Sequence, residues 1–431
     1  MKKIVTSIIA WEARIAVLKN KPKIIGITGS VGKSSTKEFI SCLLSKNFKI
    51  RQSPKSYNSK LGFALSVLGL PTYFNNNIFG WFKNIVKGFL EIWNKKFPDI
   101  LVLEMGIDHP KDMDDLIKIA FPDIAVVTAI GEIPVHVEFF SGPEAVAQEK
   151  AKILKYLSSN GYAILNFDDD VVWSMKEKTK GKVISFGFGD SQIGGADFSA
   201  SNLKISLSGS TFKMDFEGSS VPVHLKNALG KQNVYPALAA AAVGKILGLN
   251  LIEISEYLSL CELLSGRMKL IEGIKNTKII DDSYNSSPLA AHAALDTISE
   301  LEANLPDGKV GRKIAVLGDM LEIGKYTIEA HKAMGQKAVK AVNVLITVGL
   351  RAKFAFDEAL ALGMNKANLH HFSTSKEAAS FVKDLIEEGD LVLVKGSQGM
   401  RMERVVEEIL AHPEDASKLL VRQEDYWKKK E

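Results

Sequence analysis

The segment ITGSVGKSSTKEF, residues 27–39, constrains the architecture more than any other stretch of the chain. The apolar run KIIGIT ahead of it reads as a strand. Gly29 and Gly32 then bracket a tight loop, Lys33 follows, and Ser34, Ser35 and Thr36 open a helix. Glycines let backbone N–H groups approach phosphate oxygens, and the helix N-terminus adds a positive dipole. Such a loop predicts an ATP site built from Thr28, Gly29, Ser30, Gly32, Ser34 and Ser35. The Lys33 ammonium would bridge the β- and γ-phosphates, and the Ser34 hydroxyl would reach Mg²⁺. The strict Walker pattern asks for glycine where Ile27 stands, so the motif is the variant T-G-x-x-G-K-S.

Around this loop, ILVLE, IAVVTAI and YAILN alternate with helix-like stretches, which predicts βαβ units and a parallel sheet. Residues 181–225 alternate polar and apolar positions with interspersed serine and glycine, which predicts antiparallel hairpins appended to that sheet. An alanine-rich helix, a second helix over 252–264 and a hinge at Ser265–Arg267 follow. From Met268 to Leu410, KIIDD, KIAVLGD, NVLITVG and LVLVKGS each read as a strand ending in Gly, Asp or Ser. In doubly wound sheets ligands gather at such carboxyl ends. The expected class is α/β: a central P-loop ATPase-type parallel sheet domain with a hairpin region, then a C-terminal doubly wound, Rossmann-like domain. The expected divisions are residues 1–22, 23–264 and 265–431. The charged tail RQEDYWKKKE is expected to be exposed.

Composition removes several alternatives. Hydrophobic residues at 46% and charged residues at 24% exclude wholesale disorder. A net charge of +5 is too small to signal nucleic-acid binding. Two cysteines, Cys42 and Cys261, cannot make a disulfide framework or a four-thiolate zinc site, and fit a reducing cytoplasm. No apolar run reaches the roughly 18 residues of a membrane span. Residues 1–20 read as an amphipathic helix, because Glu12 and Arg14 interrupt an otherwise signal-like start. In residues 73–97, Trp81, Phe82, Ile85, Phe89 and Trp93 recur at helical spacing among lysines. Both segments either pack on the domain or dock to a membrane surface or a partner protein.

Further motifs accumulate downstream. LVLEMG puts Glu104 at the end of a buried strand, where a carboxylate is costly unless a cation or donor meets it. IGEIPVHVEFFSGPEAVAQEKAKIL carries His136, Glu138 and Lys150. NALGKQNVYPALAAA, SGRMKLIEG, IIDDSYNSSP, GDMLEIG and VLVKGSQGMRMERVV follow. Together with T-G-x-x-G-K-S-S, these segments resemble the Mur ligase family over nearly the whole chain after Lys23. The resemblance implies Mg²⁺ held by Ser34, Glu104 and His136, and a lysine carbamylated by CO₂ at Lys150, with Lys152 the competing candidate. It implies Asn233 near adenine, although Gln232 and Pro236 replace the family's His and second Asn, and Ala129 stands where Asn is frequent. Arg267 would reach the γ-phosphate on closure, and Asp282 would bind ribose. Tyr284, Asn285 and Asp319 would face the amine substrate.

The DDSYNSSP and GDMLEIG segments are similar to the branch that adds D-alanyl-D-alanine. The implied function is an ATP- and Mg²⁺-dependent amide ligase of peptidoglycan precursor synthesis. It would join D-alanyl-D-alanine to a muramoyl-peptide carboxylate through an acyl phosphate, in the cytoplasm or at the inner membrane surface. The alternatives are another amine on a different acceptor, or a non-catalytic nucleotide-binding relative. Only Met1–Pro22 precede the first strand, so the family's UDP-binding N-terminal domain is expected to be missing. The acceptor would then be held by another protein, by its peptide alone or on a lipid carrier.

Overall fold

In a computed structural model, residues 2–53, 59–72, 78–189, 195–303 and 310–428 are described. Helix α1 (Lys2–Asn20) leads into β1 (Lys23–Thr28) and α2 (Lys33–Leu44). Strand β2 (Ile50–Gln52), α3 (Lys60–Leu68) and α4 (Ile78–Glu91) precede β3 (Ile100–Glu104). Next come α5 (Asp112–Ile117), β4 (Ile124–Val127), α6 (Pro143–Lys155), β5 (Tyr162–Asn166), α7 (Asp170–Trp173) and β6 (Lys182–Phe188). The hairpin strands β7 (Phe198–Ser206), β8 (Gly209–Phe216) and β9 (Ser219–Lys226) lead to α8 (Lys231–Ile246) and α9 (Leu251–Ser259).

The strands of this half join one sheet in the order β2-β3-β1-β4-β5-β6-β7-β8-β9. It is parallel as far as β7 and antiparallel from β7 to β9, so the expected hairpins extend the parallel sheet. Strand side chains alternate between two cores. Ile24, Leu101, Leu103 and Ala125 face α1, α3, α5 and α6, whereas Ile25, Ile27, Val102 and Val126 face α2 and α8. With both faces covered, the strands read as continuous apolar runs, which is why they are visible in the sequence. The alanines of α8 allow it to lie close against α2, with Ala237 and Ala239–Ala242 fully buried.

The second half forms a six-stranded sheet in the order β10-β11-β15-β12-β13-β14. Its strands are β10 (Lys269–Glu272), β11 (Lys278–Asp282), β12 (Lys313–Gly318), β13 (Val344–Val348), β14 (Leu369–Phe372) and β15 (Leu391–Lys395). All pair in parallel except β10, an antiparallel edge. Helices α10 (Pro288–Glu300), α11 (Thr327–Ala341), α12 (Lys353–Ala361), α13 (Ser375–Leu385) and α14 (Glu403–Glu408) cover its two faces. The α/β class and the doubly wound second sheet match the sequence expectation.

Two features differ from it. The two cysteines meet as one disulfide, Cys42–Cys261, with Cα atoms 5.8 Å apart, tying α2 to the segment after α9. The tail is exposed only in part: Arg422 is buried and donates to the carbonyl oxygens of Ser283 and Tyr284. Arg422 also pairs with buried Glu403 at 2.7 Å, which Arg401 meets from its other side. Within α4, Trp81 and Ile85 pack inward while Phe82 and Phe89 point outward. Tyr73–Asn77 lie outside the described residues.

Helices α1 and α4 touch closely at Gly88, where an added Cβ would come within 2.2 Å of Glu12 Oε2. Glu12 is buried and that oxygen has no hydrogen-bond partner among the described residues. Desolvation pushes its carboxyl up to about 7. Below the ordinary carboxyl range both folded and unfolded chains hold the proton and the site costs nothing. As pH rises to about 7 the unfolded chain ionises freely and folding loses stability. Glu12→Gln should therefore stabilise the protein by about 1–2 kcal/mol at pH 8, allowing for screening by nearby water, and by nothing near pH 4. Thermal melts at the two pH values read this difference.

Candidate active site

The loop after β1 is pinned by its neighbour strand. Ser30 N donates to Ala129 O at 2.6 Å, and Thr128 Oγ1 donates to Val31 O at 2.7 Å. Ala129 contributes through its backbone, so the loop keeps its anchor without the family's Asn. Gly29 sits at φ 142°, and an added Cβ would come within 2.0 Å of Thr128 Oγ1. Only glycine fits there. Among the described residues, buried Thr28 Oγ1, Ser30 Oγ and Thr36 Oγ1 have no hydrogen-bond partner, an arrangement that leaves polar atoms for a ligand.

Three of the candidate residues meet around the start of α2. Ser34 Oγ donates to Glu104 Oε2 at 3.0 Å, and Arg267 Nη2, from the far side of the hinge, donates to Ser34 Oγ at 3.3 Å. Glu104 is 2% exposed at the end of β3. A serine hydroxyl and a carboxylate are the hard oxygen donors Mg²⁺ takes, the rest of its shell being phosphate and water. Among the described residues no group of three or more His, Cys, Asp or Glu side chains converges as a metal cage.

Lys33 Nζ lies 3.4 Å from Ser30 O, and its pKa is lowered by burial and by Arg267, with Glu104 and Asp108 acting the other way. Lys150, on α6, is 1% exposed and donates to Gly29 O at 2.9 Å. Its pKa lies well below the ordinary lysine value, chiefly from burial and then from the Lys33 cation. Lys152 points elsewhere: it pairs with Asp114 at 2.6 Å and Glu149 at 2.8 Å. Those bonds raise its pKa against the effect of desolvation. His136, at φ 67°, stands between Glu322 (2.8 Å) and Asp108 (3.4 Å). Glu322 belongs to the GDMLEIG segment, so this pair links the two halves of the molecule.

The hinge meets β11. Buried Asp281 accepts from Gly266 N (3.0 Å) and Ser283 N (3.1 Å), and burial raises its carboxyl to about 6. Asp282 pairs with buried Lys395 at 2.5 Å, and Lys395 also donates to Asn285 O at 3.0 Å. The Tyr284 ring lies 4.0 Å from the Arg267 guanidinium. Asn285 Oδ1 accepts from Ser286 N. Asp319 is buried and accepts from Arg351 N and Ala352 N ahead of α12, so its carboxylate is engaged in the fold. Asn233 Nδ2 donates to Leu229 O, and Gln232 bonds Thr297 across to α10.

A cavity of about 80 Å³ lies between the halves, where Ser30, Gly32, Ser35, Asn233, Arg267 and Asp282 meet Asn285 and Lys395. A larger one of about 360 Å³ adjoins it at Val31, Gly32, Gln232 and Ala290. Its apolar walls include Phe186, Leu203, Pro236 and Leu289. Sequence reasoning did not single out Lys395 or Asp108. A lysine closing an apolar strand and a carboxylate four residues after Glu104 were the available signals.

The family model of the Mur ligase middle domain matches residues 27–244, and that of the Mur ligase glutamate ligase domain matches residues 266–398. The UDP-N-acetylmuramoyl-tripeptide–D-alanyl-D-alanine ligase of Bacillus subtilis is 29% identical over 395 residues, 91% of this chain and 76% of that protein. The Escherichia coli ligase of the same name is 27% identical over 89% of this chain and 76% of its own length. Among solved structures, MurF from Acinetobacter baumannii gives a TM-score of 0.75 at 24% identity, covering 93% of this chain and 79% of that one. MurF ligase from Thermotoga maritima in complex with ADP gives 0.74 at 24% identity, covering 96% and 84%. With the fold, the phosphate loop and both family matches in agreement, the chain belongs to the Mur ligase family.

Proposed function

We propose that the protein is an ATP- and Mg²⁺-dependent, ADP-forming amide ligase of peptidoglycan precursor synthesis, which joins D-alanyl-D-alanine to a muramoyl-peptide carboxylate. The observation that carries this reading is the meeting of Lys33, Ser34 and Glu104 with Arg267 across the hinge. In this reading the triphosphate lies along Thr28–Ser35, with the base in the larger, apolar cavity beyond Gln232 and Asn233. Residues 23–264 bind ATP and residues 265–431 close over it. Asp282, between Lys395 and Arg267, orders the closing face beside the nucleotide.

Mg²⁺, held by Ser34 and Glu104, would neutralise phosphate charge during transfer, while His136 is engaged by Glu322 and Asp108. The acceptor carboxylate attacks the γ-phosphorus in line, and ADP leaves. Lys33 and Arg267 hold the charge that spreads over the transferring group. The amine then attacks the acyl carbon, and phosphate departs. Tyr284 and Asn285 position that amine, and Asp319 acts by bracing the loop beside them. Closure at the hinge keeps water from the acyl phosphate.

Lys150 is carbamylated in this reading. Its neutral amine, favoured by burial and by Lys33, attacks CO₂ and loses a proton. The resulting anion stands beside Lys33, so repulsion becomes attraction. In this reading the enzyme acts in the cytoplasm, with residues 1–20 and 73–97 meeting a membrane surface or a partner protein, and uses no nucleic acid.

The reading is tested by incubating the protein with ATP, Mg²⁺, a panel of muropeptide acceptors and a panel of amines. Mass spectrometry should show one acceptor gaining the D-alanyl-D-alanine dipeptide with loss of water. Gain of a single amino acid instead would sink the dipeptide assignment.

A further inference from the structure

The outward faces of α1 and α4 carry side chains that the ligase chemistry does not use. On α4, Phe79 is 88% exposed, and Phe82, Val86, Phe89 and Leu90 share its stripe, which Trp93 continues. These positions recur every three or four residues, one side of a helix. On α1, Ile4, Trp11 and Leu18 stand out at seven-residue spacing. The stripes adjoin: Lys19 lies over the Trp93 ring, and Asn20 Nδ2 donates to Ile92 O. At about 100 Å² for each half-exposed aromatic, the joined face presents several hundred Å² of apolar surface.

Charge selects the occupant. Exposed Arg14, Lys19, Lys83 and Lys87 lie within or beside the stripes, and exposed Lys95 and Lys96 follow them. The only acids in residues 2–20 and 78–96 are Glu12 and Glu91. Glu12 is buried beneath the face, and Glu91 is paired with Arg51 at 3.0 Å. The two helices are therefore cationic and apolar at once, with both of their own acids buried or paired. A second copy seated on the same patch would bring these cations against one another. A bilayer with anionic headgroups supplies both an apolar layer for the rings and negative charge for the lysines, whose stems can extend to the headgroups.

We propose that α1 and α4 together form a docking face for an anionic lipid bilayer, in the interfacial plane and without spanning it. No described helix is long and apolar enough to cross a membrane. This names the surface in the attachment proposed above and is independent of the ligase chemistry. The face lies over α3, on the side of the large sheet opposite α2 and α8.

Flotation of the whole protein with vesicles tests this. At about 0.1 M NaCl the protein should float with phosphatidylcholine vesicles containing phosphatidylglycerol, and bind pure phosphatidylcholine at least about tenfold more weakly. The double variants Phe82→Ser/Trp93→Ser and Lys83→Glu/Lys87→Glu should each weaken flotation at least about tenfold. Their thermal melts should stay within about 4 °C of the wild type, since only the Lys19–Trp93 contact is lost, and their ATP cleavage without vesicles should be unchanged, since the face lies on the side of the sheet opposite α2. Wild type that stays unbound with anionic vesicles would overturn the proposal, as would variants that float as well as wild type. A lipid-free dimer dissolved by Phe82→Ser/Trp93→Ser, with no flotation, would assign the face to a second copy. Flotation needs no substrate, so its outcome is separate from that of the ligase assay.

Discussion

Arg267→Ala should lower the rate of ADP formation about 10³-fold or more while leaving the fold intact. The guanidinium reaches Ser34 Oγ from across the hinge and stacks on Tyr284. An arginine brought to a transferring phosphoryl group by closure contributes about 10³–10⁵ in rate. By the usual conversion, 10³-fold is about 4 kcal/mol of transition-state stabilisation. Arg267→Lys should recover little, because an ammonium keeps the charge but not the planar fork or the stacking. Steady-state ADP release, with a thermal melt as the folding control, reads both variants. Wild-type turnover by Arg267→Ala would remove Arg267 from the mechanism.

The second large effect concerns Lys150. If Lys150 carries the proposed carbamate, Lys150→Ala should lose about 10³-fold in product formation, again about 4 kcal/mol, because that anionic group would be lost. Added acetate or propionate should restore part of that activity by filling the vacated space with a carboxylate. In the wild type, carbon-13 bicarbonate should give a carbamate signal that Lys150→Ala lacks. Wild-type activity of Lys150→Ala with no added anion would contradict the carbamate. Lys152→Ala should instead act on stability, since Lys152 joins α5 to α6 through Asp114 and Glu149.

The lysine pair shows where sequence reading stopped. Two residues on a helix are about 200° apart, so Lys150 and Lys152 face opposite sides. Their spacing alone could not say which side met the phosphate loop. The loop itself was legible because strand, glycines, lysine and hydroxyls are contiguous. The parallel strands were legible because burial on both faces makes them uniformly apolar. Lys395 and Asp282 were harder, since their pairing joins positions 113 residues apart. The same holds for Arg422, a tail residue that reaches back to the carbonyls of Ser283 and Tyr284. The aromatic helix was recognisable as a helix. Its apolar residues lie on both sides, however, so periodicity could not tell inward Ile85 from outward Phe89.

The central claim is that a carboxylate oxygen of the acceptor attacks ATP and later leaves with phosphate. It is tested most directly with an acceptor carrying oxygen-18 in the reacting carboxylate, incubated with ATP, Mg²⁺ and D-alanyl-D-alanine. The account predicts one oxygen-18 in each phosphate released, in step with amide product and ADP. Amide product accompanied by unlabelled phosphate would contradict it.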